Sequence, residues 1–380
     1  MILAVDNSKL LSSSLKGKRL ALMVSSASLN SELETTSSII KKSFDLRILL
    51  APEHGKSGAK AAGEEFEDEI DRETGLKIIS LYGKNDESVI KEKLENIDAI
   101  VYDVQDVSMR CYTYLSSLYN LMHFASKYKK ELIVLDRPNP ITRSVEGFVL
   151  DEKYKSFVGI YPLALRYGMT IGETITMIKE EEKLDVSLTI IPLLDYKANL
   201  YFDEYSSNWV SPSPALPSIN NVVLYTGFCL LEATNISEGR GTTSPFSFMG
   251  APFIDEWKLA RELNKLSLPG IVFAPYSFIP SFSKYSGEVC SGVEAIVTNR
   301  REFNGIRSAL SFLLTVDSLY GDKLSFLPRQ GGLPGAKMNT LLGMDFKSIE
   351  TIREIKKNNW EMLKESEEKF VLRAKEFWRY

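Results

Sequence analysis

The chain has 380 residues, of which 44% are hydrophobic and 25% are charged, and this balance is typical of a soluble globular protein. The formal net charge of −4 provides no basic surface for nucleic acid or an anionic membrane, so both are excluded as expected partners. Two histidines and three widely spaced cysteines argue against a disulfide framework, a zinc site and an imidazole-rich metal centre. A carboxylate site for Mg²⁺ or Ca²⁺ stays open, but we expect neither a metal nor a cofactor.

The length exceeds that of one typical core and predicts two domains. The N-terminal sequence MILAVDNSKLLSSSLKGKR lacks the basic and apolar regions of a signal peptide. No apolar run reaches the length of a membrane span. We therefore expect a cytoplasmic protein, or a secreted one if a leader has been removed, and a homodimer stays open.

Short aliphatic runs alternate with segments of helical periodicity in the first half of the chain. The strand candidates are residues 19–24, 46–50, 76–81, 97–104, 131–136 and 186–194, and the helix candidates are 86–96, 112–130 and a segment beginning near Thr170. Nearly continuous apolar strands between helices predict an α/β domain with a parallel sheet covered on both faces.

The composition changes near residue 205. The segment WVSPSPALPS (209–218) predicts extended chain, and residues 233–252 predict a long polar loop. Strand candidates follow at 270–276 and 289–298, and helix candidates at about 301–319 and 346–375. We predict a first domain over residues 1–225 and a smaller C-terminal α/β domain over residues 226–380.

Polar, turn-rich segments follow the predicted strands of the first half. Ligands of open α/β sheets bind outside the carboxyl ends of the strands, so these loops are expected to converge on one rim. The chain contains neither the G-x-G-x-x-G pattern of dinucleotide sites nor the G-x-x-x-x-G-K-[ST] phosphate loop. The strand ends therefore predict a binding site but give no support for a nucleotide.

The segment APEHG (51–55) places Glu53 and His54 where an apolar run opens into a glycine-containing loop. Pro52 fixes one backbone angle and Gly55 permits unusual ones, which predicts a shaped loop. A carboxylate in a shaped and partly dry loop suits general acid catalysis. A polar turn that simply faces water is an equally good interpretation of this segment alone.

The segment YDVQDVSMRCYTY (102–114) carries a second polar set at a strand end. It contains Asp103, Gln105 and Asp106, followed by Arg110 and Tyr112. Hydrogen-bonding side chains with an arginine suit a polyhydroxylated or anionic ligand. One of these polar residues is also expected to cap the following helix.

Two shorter motifs add candidate binding residues. The segment LDRPNP (135–140) contains Asp136, Arg137 and Asn139, although the first two could form only a local ion pair. The segment SEGRGTT (237–243) offers Glu238 and Arg240, with a mobile surface loop as the alternative.

Two other polar residues are expected to be structural. Thr170 and Glu173 match a capping box, so Glu173 is assigned to the helix end. His123 lies in the middle of a predicted helix and is expected to be packed or at the surface.

Taken in order along nearly the whole chain, these motifs resemble the exo-β-N-acetylmuramidases of the NamZ type, a family long known as a domain of unknown function. The matching stretches are APEHG (51–55), TGLKIISLYG (74–83), YDVQDVSMRCYTY (102–114), VLDRPNP (134–140), VEGFVLD (145–151), RYGMTIGE (166–173), WVSPSPALP (209–217), EATNISEGRGTTSPF (232–246) and GAPFID (250–255), and the end of the chain follows the pattern as well.

The resemblance implies a Rossmann-like N-terminal domain, a smaller C-terminal α/β domain and a cleft between them. It also implies an exo-hydrolase that releases terminal N-acetylmuramic acid, or a related amino sugar, from peptidoglycan fragments. The proposed catalytic glutamate of the family maps onto Glu53. The motif matches whose roles are inferred are His54, Asp103, Gln105, Asp106, Arg110, Tyr112, Asp136, Arg137, Asn139, Arg166, Glu238 and Arg240.

Four positions depart from the family pattern. Tyr167 stands in RYG where the family has histidine, and Ala215 replaces the asparagine of PSPN. Ser108 and Arg143 stand where glycines are expected. These changes leave the fold expectation intact and the sugar specificity open.

We expect Glu53 to be the general acid, since burial under the C-terminal domain favours its protonated form. His54 would orient it or polarise the leaving oxygen. Asp103 and Asp106, and then Glu238, are candidates for the second catalytic group. Arginines suit the lactyl carboxylate of muramic acid, and the candidates are Arg110, Arg137 and Arg240.

Two other functions stay open on sequence alone. The first is a non-catalytic sugar or nucleotide-sugar binding protein on the same scaffold, which would keep the arginines without needing an acid. The second is a phosphate-binding hydrolase or transferase that uses Asp103 and Asp106 with Mg²⁺, and the missing phosphate loop argues against it.

Overall fold

The computed structural model describes residues 1–58, 68–81, 87–205, 208–329 and 334–380. A seven-stranded sheet organises the first half of the chain in the order β3-β4-β2-β1-β5-β6-β7. Every neighbouring pair in it is parallel except β3 and β4. The strands are β1 (Arg19–Val24), β2 (Asp45–Ala51), β3 (Glu69–Ile70), β4 (Lys77–Ser80), β5 (Ala99–Asp103), β6 (Glu131–Leu135) and β7 (Ser187–Ile191). The predicted parallel sheet is confirmed, and β3 is an antiparallel addition at its edge.

Successive residues of the parallel strands enter cores on opposite faces of this sheet. Leu20 and Leu22 of β1 pack in one core with residues of α1 (Ser8–Leu15) and α2 (Thr36–Ser43). Ala21 and Met23 pack in the other core with residues of α4 (Tyr114–Lys127) and α5 (Ile171–Glu182). Burial on both faces explains the nearly continuous apolar character of these strands.

One helix start and one helix position that the sequence predicts can be compared with the structure. The capping box predicted at Thr170 and Glu173 begins α5, with the Thr170 hydroxyl accepting from the Glu173 amide. The segment predicted as a helix from residue 86 contains α3 (Glu87–Lys93), while Asp86 lies outside the described residues, as do Tyr82 and Gly83 beyond β4.

The second half of the chain forms a smaller antiparallel sheet in the order β8-β10-β9. Its strands are β8 (Phe248–Ala251), β9 (Ile271–Phe278) and β10 (Cys290–Val297). The helices of this half are α6 (Ile219–Phe228), α7 (Glu256–Lys265), α8 (Gly305–Tyr320), α9 (Lys337–Leu342), α10 (Ile349–Lys357) and α11 (Glu361–Ala374).

Two expectations for the second half are wrong. The predicted polar loop over residues 233–252 ends in strand β8. The single helix predicted over about 346–375 is two helices, because Asn359 and Trp360 take positive φ values of 49° and 64° and end the helical path after α10. None of the helices in the described ranges is long and apolar enough to cross a membrane.

Candidate active site

A cavity of about 420 Å³ lies where loops of the large sheet meet the second half of the chain. Its volume falls within the range of small-molecule sites. Side chains from the first half that line it include Glu53, His54, Tyr112 and Thr113. Charged side chains from the second half that line it are Glu232, Glu238, Arg240, Lys284 and Lys337.

Glu53 and His54 reach the cavity from the turn that follows β2. The Gly55 amide donates to the Pro52 carbonyl at 3.0 Å, and both His54 and Gly55 have positive φ, at 70° and 71°. Such a conformation is uncommon for histidine, so the loop is shaped as expected. Glu53 is buried, and its carboxylate accepts a hydrogen bond from the hydroxyl of Thr113, just before α4.

Five charged side chains form a second wall of the cavity, which we call the ionic cluster: Glu232, Glu238, Arg240, Lys284 and Lys337. Arg240 pairs with Glu232 at 2.9 Å and with Glu238 at 3.5 Å. Lys284 pairs with Glu238 at 2.8 Å, and Lys337 lies 3.8 Å from Glu232. Three cations and two carboxylates leave one net positive charge on this wall.

The electrostatics of the ionic cluster keep Glu232 and Arg240 charged. Burial alone would raise the pKa of Glu232, but the positive charges of Arg240 and Lys337 lower it. Burial likewise opposes the charge of Arg240, but Glu232 raises its pKa above the ordinary value. Burial lowers the pKa of Lys284 despite its carboxylate partner.

The three cations of the cluster differ in how many contacts they make with acceptors of the protein. Lys284 donates to the carbonyl oxygens of Leu231 and Ile236 as well as to Glu238, each at 2.8 Å. Lys337 has a single, long ion-pair contact to a residue in the described part of the chain. Lys337 is therefore the cation of this wall with most capacity for a ligand.

Asp103 and Arg137 meet at the rim of the large sheet but do not line this cavity. They form a buried bidentate ion pair with N···O distances of 2.6 and 2.7 Å, and Thr36 donates a further hydrogen bond to Asp103. Arg137 and Gln105 border a separate cavity of about 250 Å³ between the carboxyl ends of β1 and β5, where the strand order reverses. Gln105 also donates to two backbone carbonyl oxygens.

Asp106 is buried behind the site. It accepts from the Ser108 amide at 2.6 Å and from the Tyr167 hydroxyl at 2.5 Å, while its second oxygen has no hydrogen-bond partner among the described residues. Burial raises the pKa of Asp106 to about 6. Tyr167, which replaces the expected histidine, thus holds Asp106, and Ser108 keeps a φ of 55° where a glycine was expected.

The expected substrate contacts of Arg110 and Arg166 have no support in this geometry, because both guanidinium groups donate their hydrogen bonds to acceptors within the protein. Arg110 donates to the carbonyl oxygens of Phe148, Leu163 and Leu341 at 2.6 to 2.7 Å. Arg166 pairs with Glu146 and also donates to a carbonyl and a hydroxyl of the neighbouring loop.

Asp136 and Asn139 also serve local structure. Asp136 accepts from the Gly172 amide and the Thr170 hydroxyl at the start of α5, and burial raises its pKa to about 6. Asn139 bonds within its own loop, to the Ile141 amide and the Thr142 carbonyl. Neither side chain lines the cavity, so their predicted contacts with substrate have no support in this geometry.

Sequence reasoning did not single out several residues of the cavity wall, among them Thr113, Glu232, Lys284 and Lys337. Glu232 begins the stretch EATNISEGRGTTSPF, so its proximity to Arg240 was the one available signal. Lys284 and Lys337 come from distant segments without a motif. Within the described ranges no group of three or more His, Cys, Asp or Glu residues is placed to hold a metal ion.

Comparisons with known proteins agree on one family. Residues 20–220 match the family model described as exo-beta-N-acetylmuramidase NamZ, N-terminal, and residues 223–380 match its C-terminal counterpart. A curated relative, the peptidoglycan beta-N-acetylmuramidase NamZ of Bacillus subtilis strain 168, is 40% identical over 316 residues, which are 82% of this chain and 76% of the relative.

Two solved structures share the fold. Both are DUF1343 family proteins from Bacteroides fragilis, each 26% identical to this chain, and each comparison covers 100% of this chain and 98% of the other. Their TM-scores are 0.85 and 0.76. The two-sheet architecture is therefore that of the solved DUF1343 structures.

Proposed function

The chain belongs to the exo-β-N-acetylmuramidase NamZ family, and on this premise we propose the residues with which it performs that reaction. It is a glycoside hydrolase that acts on peptidoglycan-derived N-acetylmuramic acid. A non-catalytic sugar-binding role is not favoured, because the curated relative is itself a peptidoglycan β-N-acetylmuramidase.

One observation carries the assignment of residues: a buried carboxylate and a wall with excess positive charge line the same cavity. Glu53 lies on the side of the large sheet, and Arg240 and Lys337 lie on the side of the second half. A terminal N-acetylmuramic acid offers matching groups, namely a glycosidic oxygen to be protonated and a lactyl carboxylate to be bound.

Glu53 is assigned the role of general acid. It protonates the glycosidic oxygen as the bond to the anomeric carbon breaks, and water supplies the hydroxyl that replaces the leaving sugar. Thr113 orients the Glu53 carboxylate through its hydroxyl. His54 is held at positive φ in the same turn and lines the same cavity, and we assign it the role of polarising the leaving oxygen.

Lys337 and Arg240 are assigned to the lactyl carboxylate. Arg240 is held over the ring of Phe246 at 5.2 Å and is anchored by Glu232, so its guanidinium is preorganised. Glu232 and Glu238 act as positioning residues, because each is engaged by cations of the ionic cluster. Of the three arginines expected to bind the lactyl carboxylate, this assignment keeps Arg240 and replaces Arg110 and Arg137 with Lys337.

We further propose a cytoplasmic location and a domain boundary at the start of α6. Cys111, Cys229 and Cys290 are buried free thiols, which suit a reducing compartment. Residue 225 lies in the middle of α6, and the two family models meet between residues 220 and 223, near the start of the same helix.

A pair of chromogenic substrates tests the carboxylate assignment. An aryl β-N-acetylmuramide and the corresponding N-acetylglucosaminide differ only in the lactyl ether, so the cationic wall predicts turnover of the first at least tenfold above the second. Equal turnover of both would contradict recognition of the lactyl group. Absence of turnover of both would contradict the proposed function.

A further inference from the structure

A second cavity of about 570 Å³ adjoins the first one. The two share His54, Ala215 and Arg240 in their walls. Glu53 lines the first cavity, whereas His54, the next residue, lines both. We call the second cavity the aromatic groove, after the side chains that form its floor.

The floor of the aromatic groove comes from one face of the antiparallel sheet. Phe248 of β8 and Tyr276 of β9 stack with ring centroids 4.2 Å apart and an interplanar angle of 21°. Phe278, on the same face of β9, stacks on Phe248 at 5.9 Å. Tyr276 is 37% exposed and Phe282, at the rim, is 53% exposed. Flat aromatic surface therefore faces the groove.

The polar groups of the groove are mostly neutral. Thr242, Thr243 and Ser281 supply hydroxyl groups, and Arg240, at the junction with the first cavity, is the charged side chain of its wall. Aromatic surface with a few hydroxyls suits the apolar face of an uncharged sugar ring. The groove thus differs from the first cavity, whose wall carries excess positive charge.

The position of the general acid indicates where the leaving part of the substrate lies. A general acid protonates the oxygen that joins the terminal sugar to the leaving part of the chain. If Glu53 acts on a sugar in the first cavity, the leaving part begins beside the acid, where His54 joins the two cavities. Since an exo-hydrolase needs room for one terminal sugar only, the remaining strand needs a path out of that cavity.

We propose that the aromatic groove binds the leaving part of the glycan, with an uncharged N-acetylglucosamine unit stacked on Tyr276. This inference rests on the proposed function and deepens it by placing the leaving sugar. The charged wall would then recognise the carboxylate-bearing terminal residue, and the neutral aromatic floor the uncharged sugar that follows it.

Two substrates with different leaving groups test the groove. The disaccharide of N-acetylmuramic acid and N-acetylglucosamine fills it, whereas the fluoride leaving group of β-N-acetylmuramyl fluoride cannot reach it. Tyr276→Ala and Phe282→Ala are expected to lower kcat/KM for the disaccharide about tenfold, because the bound leaving sugar contributes to transition-state stabilisation. Both variants should stay within about twofold of wild type on the fluoride.

Two control variants accompany the measurement. Tyr276→Phe keeps the aromatic surface and should restore turnover of the disaccharide. Val272→Ala changes an exposed residue on the same face of β9, away from the groove wall, and should leave both substrates unaffected. Equal losses on disaccharide and fluoride, or no loss on either, would overturn the groove assignment.

A binding measurement separates this proposal from the proposed function. Calorimetric titration with N,N′-diacetylchitobiose needs no turnover, and Tyr276→Ala should weaken its binding about tenfold. Equal affinities of the wild type and Tyr276→Ala for this disaccharide would contradict the groove assignment. A wild type that does not bind it would contradict the assignment as well. Tyr276-dependent binding without hydrolysis of any muramide would instead contradict the proposed function.

Discussion

Arg110 donates a hydrogen bond to the carbonyl oxygen of Leu341 at 2.7 Å, which ties the large sheet's domain to α9. The same guanidinium is within hydrogen-bonding distance of Phe148 and Leu163, and its burial lowers its pKa to about 10. Helix α9 begins at Lys337, the cation of the cavity wall with most capacity for a ligand. A residue that the motifs suggested as a ligand contact therefore supports the site from behind.

Arg110→Lys is predicted to destabilise the protein by about 3 kcal/mol, because the single side-chain nitrogen of lysine cannot take the places of both Nη1 and Nη2, which contact the carbonyl oxygens of Phe148, Leu163 and Leu341. Thermal or urea-induced unfolding measures the loss. Arg47→Lys, an exposed arginine that pairs with Asp45, should leave the unfolding midpoint unchanged. A stability of Arg110→Lys equal to wild type would remove the structural role of this clamp.

Lys337→Gln is predicted to raise KM for an aryl β-N-acetylmuramide about tenfold or more, because a charge-assisted contact to the lactyl carboxylate is lost. The wild-type KM should also rise with ionic strength, and that dependence should weaken in the variant. Lys375→Met removes an exposed lysine outside the cavity and serves as the control. An unchanged KM in Lys337→Gln rejects the assignment of this residue.

The raised pKa of Asp106 predicts that the stability of the protein depends on pH. Its pKa is raised from 3.8 to about 6, so between these values the folded state binds more protons than the unfolded state. Unfolding free energy should therefore fall as pH rises from about 4 to above 6, and the contribution of Asp106 is roughly 3 kcal/mol at most.

Asp106→Asn should flatten this part of the pH profile. Asp136 is raised in the same direction, to about 6, and remains in the variant, so the difference between the two profiles isolates Asp106. Urea-induced unfolding at several pH values between 4 and 7 measures it. Identical slopes for wild type and variant would show that Asp106 does not titrate in this window.

The large sheet could be predicted from the sequence because the apolar pattern and the composition of each strand are local properties of the chain. Continuous apolar runs with turns at their ends mark strands that are buried on both faces, and the parallel strands of the sheet were found in this way, without β3. Strand β8 was hidden because it is four residues long and contains Gly250. The break between α10 and α11 depends on two positive φ values, of which the one at Asn359 suits its residue type and the one at Trp360 does not.

The site was only partly predictable. Glu53 could be singled out because its loop carries proline and glycine beside a buried strand. Lys284 and Lys337 approach the cavity from separate segments, so only the folded chain shows their relation to Arg240. Arg110 misled the sequence reasoning because an arginine that binds backbone carbonyls and one that binds a ligand look alike in a motif.

The role of Glu53 as the general acid is tested most directly by the turnover of aryl β-N-acetylmuramides by Glu53→Gln. The variant should lose about a hundredfold or more of kcat on a phenyl glycoside, because an unactivated leaving group needs a proton. It should lose much less on a dinitrophenyl glycoside, whose leaving group needs none. Glu95→Gln, at an exposed position, should match wild type on both. Retention of full turnover on the phenyl glycoside by Glu53→Gln would contradict the assignment.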